Sequence, residues 1–203
     1  MNIVSTAQPL RSILNTRAAF CYAFFCMHPS SSTTLRWGGE VEDQTKIQEE
    51  KMQTTLTLKS SAFEEGQPIP KRYTCDGQNL SPPLFMKGIP EGTQSVALIV
   101  DDPDAPAGTW VHWVVWNIAP QFDEIPEGSV PPSALQGTND FGNEVWGGPC
   151  PPPGPPHRYF FKLYAVDALL ELQRGASKPL LEKAMEGHIL AQTELIGLYG
   201  RGR

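Results

Sequence analysis

The chain has 203 residues, 40% of them hydrophobic and 19% charged, the composition of one globular domain with a tail rather than of a disordered chain. A formal net charge of −6, with no run or stripe of Lys and Arg, argues against a nucleic-acid partner. The four cysteines (Cys21, Cys26, Cys75, Cys150) are scattered and none forms a C-x-x-C pair, which argues against a small disulfide scaffold and a structural zinc site.

Residues 1–51 differ from the rest. No Asp or Glu precedes Glu40, whereas Arg11, Arg17 and Arg36 do, and a short apolar core runs from Ala18 to Met27. Those ten apolar residues cannot cross a bilayer as a helix, so no integral membrane segment is expected. The order basic, apolar, polar is partly that of a signal or transit peptide, but no clean small-residue cleavage site follows. Glu40 to Lys51 is charged and without apolar periodicity. The favoured reading of 1–51 is a disordered extension or an upstream addition to a chain that starts at Met52; a targeting segment is the alternative. The domain is assigned to 52–203, and the location expected is the cytoplasm.

From Leu56 the pattern is strands and turns. LTLKSSAF (56–63) alternates, and KRYTCDGQNLSPPL (71–84) is turn-rich around Cys75, Asp76 and Gly77. Val96 to Val100 is a continuous apolar run, too short for a helix, and reads as a strand buried on both faces. It ends in a proline-punctuated turn, Asp101 to Pro106. Thr109 to Ala119 (TWVHWVVWNIA) is apolar on both alternating faces and predicts a second central strand. Trp110, His112, Val114, Trp116 and Ile118 fall on one face, with His112 its single polar intrusion. Residues 120–149 carry weak signals, and a loop that long is expected to be functional or to hold short elements of its own.

The segment 147–159 (GGPCPPPGPPHRY) holds six of the chain's 20 prolines and three of its 18 glycines. Proline fixes φ and donates no backbone hydrogen bond, so this is a stiff, extended loop. It delivers His157 and Tyr159, two apart and therefore on one face, to the start of a third strand running to about Val166. Near the C-terminus Leu181, Ala184, Met185, His188, Ala191, Gln192 and Leu195 recur at helical steps. Ser177 is a plausible N-cap, Pro179 sits in the first turn and Gly200 is a plausible stop. Strands with Pro/Gly turns and a late helix predict a β-sandwich with a helix at one end.

Asp102, His112 and His157 stand where apolar runs begin or end. If neighbouring strands are antiparallel, the three converge at one rim of the sheet. Trp110 and Tyr159 would flank them and the proline loop would close the side. Two imidazoles and a tyrosine hydroxyl donate hydrogen bonds, and a carboxylate nearby favours imidazolium. Such a group suits a small anion. Asp102 must then hold a histidine, share a proton, or receive the cationic end of a zwitterion. Two other readings stand beside the binder. One is a hydrolase with Cys150 as nucleophile, His157 as base and Asp102 as orienter, although Cys150 is boxed between prolines rather than set at a helix N-terminus. The other is a metal protein using both histidines and Asp102. Trp113 and Trp116 read as core, His188 as a hydrogen-bonded core histidine, Asp104 as a turn-former, and Arg158 as a structural partner of a carboxylate. Cys75 and Cys150 both lie in turn-like loops, and whether they meet stays open.

DDPDAP (101–106), WVHW (110–113) and GGPCPPPGPPHRY (147–159), in this order and at these separations, resemble the phosphatidylethanolamine-binding proteins, most closely their bacterial and archaeal branch, often labelled Raf-kinase-inhibitor-like. YTCDGQNLSPPL (73–84) and EKAMEGHILAQTELIGLYGR (182–201) are similar to that branch too, so the resemblance covers about 52–201. It implies a mainly β fold: two antiparallel sheets in a Greek-key arrangement with a C-terminal helix. It implies a non-enzymatic pocket for phosphate-like or phosphorylethanolamine-like head groups, with no cofactor and no metal. A protease or kinase that the pocket rim inhibits is the protein partner implied, and a homodimer is a further expectation. Carried over by motif position, Asp102, Trp110, His112, Pro152, His157 and Tyr159 would line the pocket, and Gly148 would let backbone come close. Two residues depart from the pattern. Met86 stands where relatives usually place Trp, and Cys150 where other branches often have Gly or Ala.

Overall fold

The computed structural model describes residues 55–202. The expectations for residues 1–51, whether extension, targeting segment or upstream addition, lie outside them. In chain order the elements are β1 (Thr57–Ser60), β2 (Gln67–Pro68), β3 (Leu84–Lys87), β4 (Ser95–Asp102), β5 (Trp110–Ile118), β6 (Glu124–Ile125), β7 (Leu135–Gln136), β8 (His157–Val166), α1 (Lys178–Met185) and β9 (Ile189–Tyr199). They form a three-stranded sheet, β1-β3-β6, and a six-stranded sheet, β2-β9-β8-β4-β5-β7. All pairings are antiparallel except that of the two-residue β2, which runs parallel to β9. The mainly β, two-sheet architecture expected from the sequence is the one found.

Every residue of β4 is buried, as a continuous apolar run requires. Val96, Leu98 and Val100 pack in the core shared with Leu58, Leu84, Met86 and Ile125 of the small sheet. Ala97 and Ile99 pack on the opposite face against Leu181 and Met185 of α1 and against Trp116 and Leu170. Met86, the departure from the family pattern, is thus a core residue. Each Val, Leu or Ile buried this way contributes roughly 1.5–3 kcal/mol.

β5 does not keep the strict alternation read from its sequence. Val100 pairs with Trp113 and Asp101 with Val111, which leaves His112 as an extra residue. A second irregularity falls at Asn117, whose φ is 55°. As a result Val111, Val114 and Trp116 share the helix-side core, and Trp113, Val115 and Ile118 the inter-sheet core. A strand apolar on both faces carries no periodic mark of where it is bulged, so the sequence pattern could not show these shifts.

The C-terminal helix is also shorter than the periodicity predicts. It ends at Met185, and Gly187, with a φ of 79°, turns the chain back. Residues 189–199 are the long strand β9, with Leu195 and Gly197 buried and Gln192 and Glu194 exposed at the alternate positions. Leu195 and Ala191 satisfied the helical steps by coincidence with this period of two. Gly197 is required by close approach: a Cβ there would run into the side chains of Ile69 and Phe63. Ser177 occupies the N-cap position without a side-chain capping bond. His188 is no core histidine; it sits half-exposed in the turn, its Nδ1 2.8 Å from Asp167 Oδ1.

Candidate functional site

The antiparallel pairs β4–β5 and β4–β8 bring the C-terminal end of β4 beside the starts of β5 and β8. A hollow of about 260 Å³ opens there, lined by Asp102, Ala105–Ala107, Trp110, His112, Phe141, Cys150–Pro152, His157 and Tyr159. Asp102, Trp110, His112, Pro152, His157 and Tyr159, singled out from the sequence, therefore meet at one place. Gly148 lies outside the lining. Its N–H donates to Asn79 Oδ1 at 2.8 Å, and a Cβ would collide with the backbone of Tyr73 and Thr74. It lets the proline loop press on the 73–79 loop rather than on a ligand.

The bulge in β5 fixes His112. Its carbonyl, freed from the ladder, accepts from Gly147 N at 3.0 Å and Asn139 Nδ2 at 3.2 Å. Its ring Nδ1 lies 2.5 Å from Gly147 O. A carbonyl only accepts, so Nδ1 carries the proton and a neutral ring keeps Nε2 as a bare acceptor. Burial lowers the pKa of this imidazole, outweighing the Gly147 carbonyl and the nearby carboxylates, which act the other way. His157 is fixed differently, with Nδ1 2.8 Å from Asp102 Oδ2. Asp102 Oδ1 accepts from Asp104 N at 2.8 Å, which folds the turn after β4. Of the three tasks open to Asp102, it holds a histidine.

Tyr159 is fully buried beside these groups, its ring 5.1 Å from that of His112. Burial, and then the charge of Asp102, push its phenol far above the ordinary value, so it stays a donor. No hydrogen bond of normal geometry joins it to Asp102 or to any other described residue. Two buried side-chain donors that lack a hydrogen-bond partner among the described residues, Tyr159 Oη and Trp110 Nε1, belong to residues that line the hollow. Buried donors are rarely left so without a purpose.

Sequence reasoning missed part of the wall. Phe141 meets the rings of Trp110 and His112 edge-on at 5.5 and 5.4 Å. Its loop is organised by Asn139, whose Oδ1 accepts from Phe141 N and Asn143 N, both at 3.0 Å. The Asn139-Asp140 pair ahead of Phe141 was the available signal, an Asx turn inside a stretch read only as loop. Arg158, on the face opposite to His157 as expected, makes a bidentate pair with Asp104 at 2.9 and 2.7 Å. Asp104 therefore does more than shape its turn: it ties the 103–108 loop to β8.

Cys75 and Cys150 form a disulfide, with Cα atoms 5.4 Å apart. The sulfur that a Cys150 nucleophile would use is thereby bonded. Among the described residues no group of three or more His, Cys, Asp and Glu is arranged to hold a metal ion, and no helix is long and apolar enough to cross a membrane.

The molecule is a two-sheet β protein with a small hollow at the ends of its central strands. Residues 59–200 match the family model described as phosphatidylethanolamine-binding protein, and the chain belongs to that family. A UPF0098 protein of Methanothermobacter thermautotrophicus is 51% identical over 152 residues, covering 72% of this chain and 100% of its own. One from Aquifex aeolicus is 50% identical over 151 residues, covering 70% and 86%. The crystal structure of a phosphatidylethanolamine-binding protein homolog from Chlamydia trachomatis superposes with a TM-score of 0.70 at 42% identity, covering 73% of this chain and 99% of that one. Escherichia coli YbcL, described as a member of the mammalian family, gives 0.68 at 33% identity over 72% and 98%.

Proposed function

We propose that the chain is a non-enzymatic binder of a small phosphate-like anion, of the size of a phosphorylethanolamine head group. The observation that carries this reading is that Tyr159 and Trp110, each with a buried donor lacking a partner among the described residues, line one hollow with two histidines whose Nε2 atoms have no protein partner among those residues. At about 260 Å³ the hollow is smaller than the ~300–1,000 Å³ common for drug-sized ligands, which favours a head group over an acyl tail. The stiff proline wall loses little freedom when a ligand arrives. The disulfide leaves Cys150 no thiol for a nucleophilic mechanism, which supports binding over hydrolysis. A protease or kinase held in check by this protein would meet the rim, where Phe141 is exposed.

The histidine geometry gives the binding a pH dependence. With Nδ1–H donated to Gly147 O, His112 Nε2 accepts but does not donate. An anion reaches it only when the ring becomes imidazolium or when the ligand carries a P–OH. Both complexes hold one more proton than a neutral His112 and a phosphate dianion apart. Affinity for the dianion therefore rises as pH falls from about 8 towards 6.

Calorimetric titration with inorganic phosphate and O-phosphorylethanolamine, in two buffers of different ionisation heat, tests this. The expected result is saturable binding at one site with net proton uptake, accompanied by a change in tryptophan emission from Trp110. No heat and no emission change at millimolar ligand would overturn the reading.

A further inference from the structure

The disulfide is attached to the hollow itself. Cys150 is one of its lining residues and is exposed, whereas Cys75 is half-buried in the 73–79 loop behind. In the segment 149–156 every residue but Cys150 and Gly154 is proline, so the wall has almost no backbone N–H with which to hold itself in place. Its backbone attachments are few. Pro149 O accepts from Cys75 N at 3.1 Å, and Gly154 N donates to Arg201 O at 3.2 Å. Between those points the covalent tie is Cys75–Cys150. The loop it reaches is anchored in turn: Arg201 chelates Asp76 at 2.8 and 2.6 Å, and Tyr199 Oη donates to Asp76 at 2.8 Å.

We propose that the Cys75–Cys150 disulfide is a thiol-responsive clamp on the wall of the hollow, closed when oxidised and loosened when a dithiol reductant opens it, so that reduction weakens anion binding. The regulatory half of this rests on the anion-binding reading; the clamp itself does not.

The surroundings set the direction of opening. A reductant thiolate attacks Cys150 Sγ, the sulfur of the more exposed residue. The S–S bond breaks, and its electron pair goes to Cys75 Sγ. Arg201 Nη2 stands 2.9 Å from that sulfur and stabilises the departing thiolate. The reductant's second thiolate then attacks its own sulfur in the mixed disulfide, releasing Cys150 as thiolate and closing the reductant's disulfide. Two electrons pass from the dithiol to the protein, and each cysteine thiolate takes a proton from water. An exposed disulfide of this kind persists where the thiol pool is oxidising and opens where it is reducing.

The test uses the full chain, air-oxidised or treated with dithiothreitol, with free thiols counted to establish each state. Hydrogen exchange reads the clamp without any ligand: reduction is expected to speed exchange at Cys75 and at Gly148, Cys150 and Gly154. Unchanged exchange in a sample counted as reduced would overturn the proposal. Phosphate titration reads the regulation. Reduction is expected to weaken binding at least about fivefold, and the double variant C75S/C150S to bind weakly whatever the redox state. By reciprocity, saturating phosphate then makes the disulfide potential more negative by about 20 mV. Equal affinity in the two redox states would overturn the regulatory half. Faster exchange on reduction with no phosphate binding in either state would uphold the clamp and overturn the anion-binding reading instead.

Discussion

Asp101 and Asp102 are neighbours in β4, both buried, and they point to opposite faces of the large sheet. Asp101 has two cations, Lys162 Nζ at 2.9 Å and Lys178 Nζ at 2.5 Å. Lys178 begins α1, so the pair ties the helix to the sheet. Asp102 has one partner, His157, and that partner lines the hollow. A buried carboxylate is therefore not a functional signal by its burial alone. What separates the two is where the partner sits: the lysines hold Asp101 on the helix side of the sheet, whereas His157 lines the same hollow as Trp110, His112 and Tyr159.

The largest expected effect lies on the structural side. Asp101→Ala removes the carboxylate that both lysines share, leaving Lys178 with Glu182 at 3.7 Å, and is expected to destabilise by about 1.5–3 kcal/mol in urea unfolding, with the phosphate affinity of the folded protein unchanged. An equal loss of affinity would erase the distinction between the two carboxylates. On the other side, His157→Ala is expected to weaken phosphate binding about tenfold, ~1.4 kcal/mol, in calorimetry. Retained affinity would mean that the Asp102–His157 pair is structural as well.

Titrating stability against pH sharpens the comparison further. Burial holds the pKa of His112 below its ordinary value of 6.5, so the unfolded chain takes up a proton first and stability declines as pH falls below about 6.5. In acid, Asp104 and Asp76, each held at about 2 mainly by hydrogen bonds from Arg158 and Arg201, stabilise above their unfolded value of 3.8. That contribution is lost as pH falls through about 2. Thermal melts between pH 8 and 2 are expected to step down in these two windows; a flat profile near pH 6 would contradict the buried neutral His112. The smallest effect is expected at the half-exposed His188, where His188→Ala should change stability by no more than about 0.5 kcal/mol and leave binding untouched.

The central strands, the stiff loop and the convergence of Asp102, His112 and His157 were legible because they rest on strong local physics: apolar runs too short for helices, and prolines that forbid pairing. β9 was not, since Leu195 and Ala191 satisfy a helical step and an alternating one equally until Gly187 decides between them. The bulge that aims His112 was hidden for a related reason, because a strand apolar on both faces hides a register shift. Phe141 was missed because the Asx turn of Asn139 shows only that the chain turns there; what aims it at the hollow is the bond from Asn139 to the distant carbonyl of His112, which no spacing announces. The Cys75–Cys150 bridge spans 75 residues of sequence, and whether two such loops touch is decided by the sheets between them.

A crystal soaked in O-phosphorylethanolamine bears most directly on what the hollow is for. Phosphoryl density is expected within hydrogen-bonding reach of His112 Nε2 and His157 Nε2, beside Trp110 and Tyr159. An unoccupied hollow at saturating ligand, or density seated elsewhere on the molecule, would contradict it.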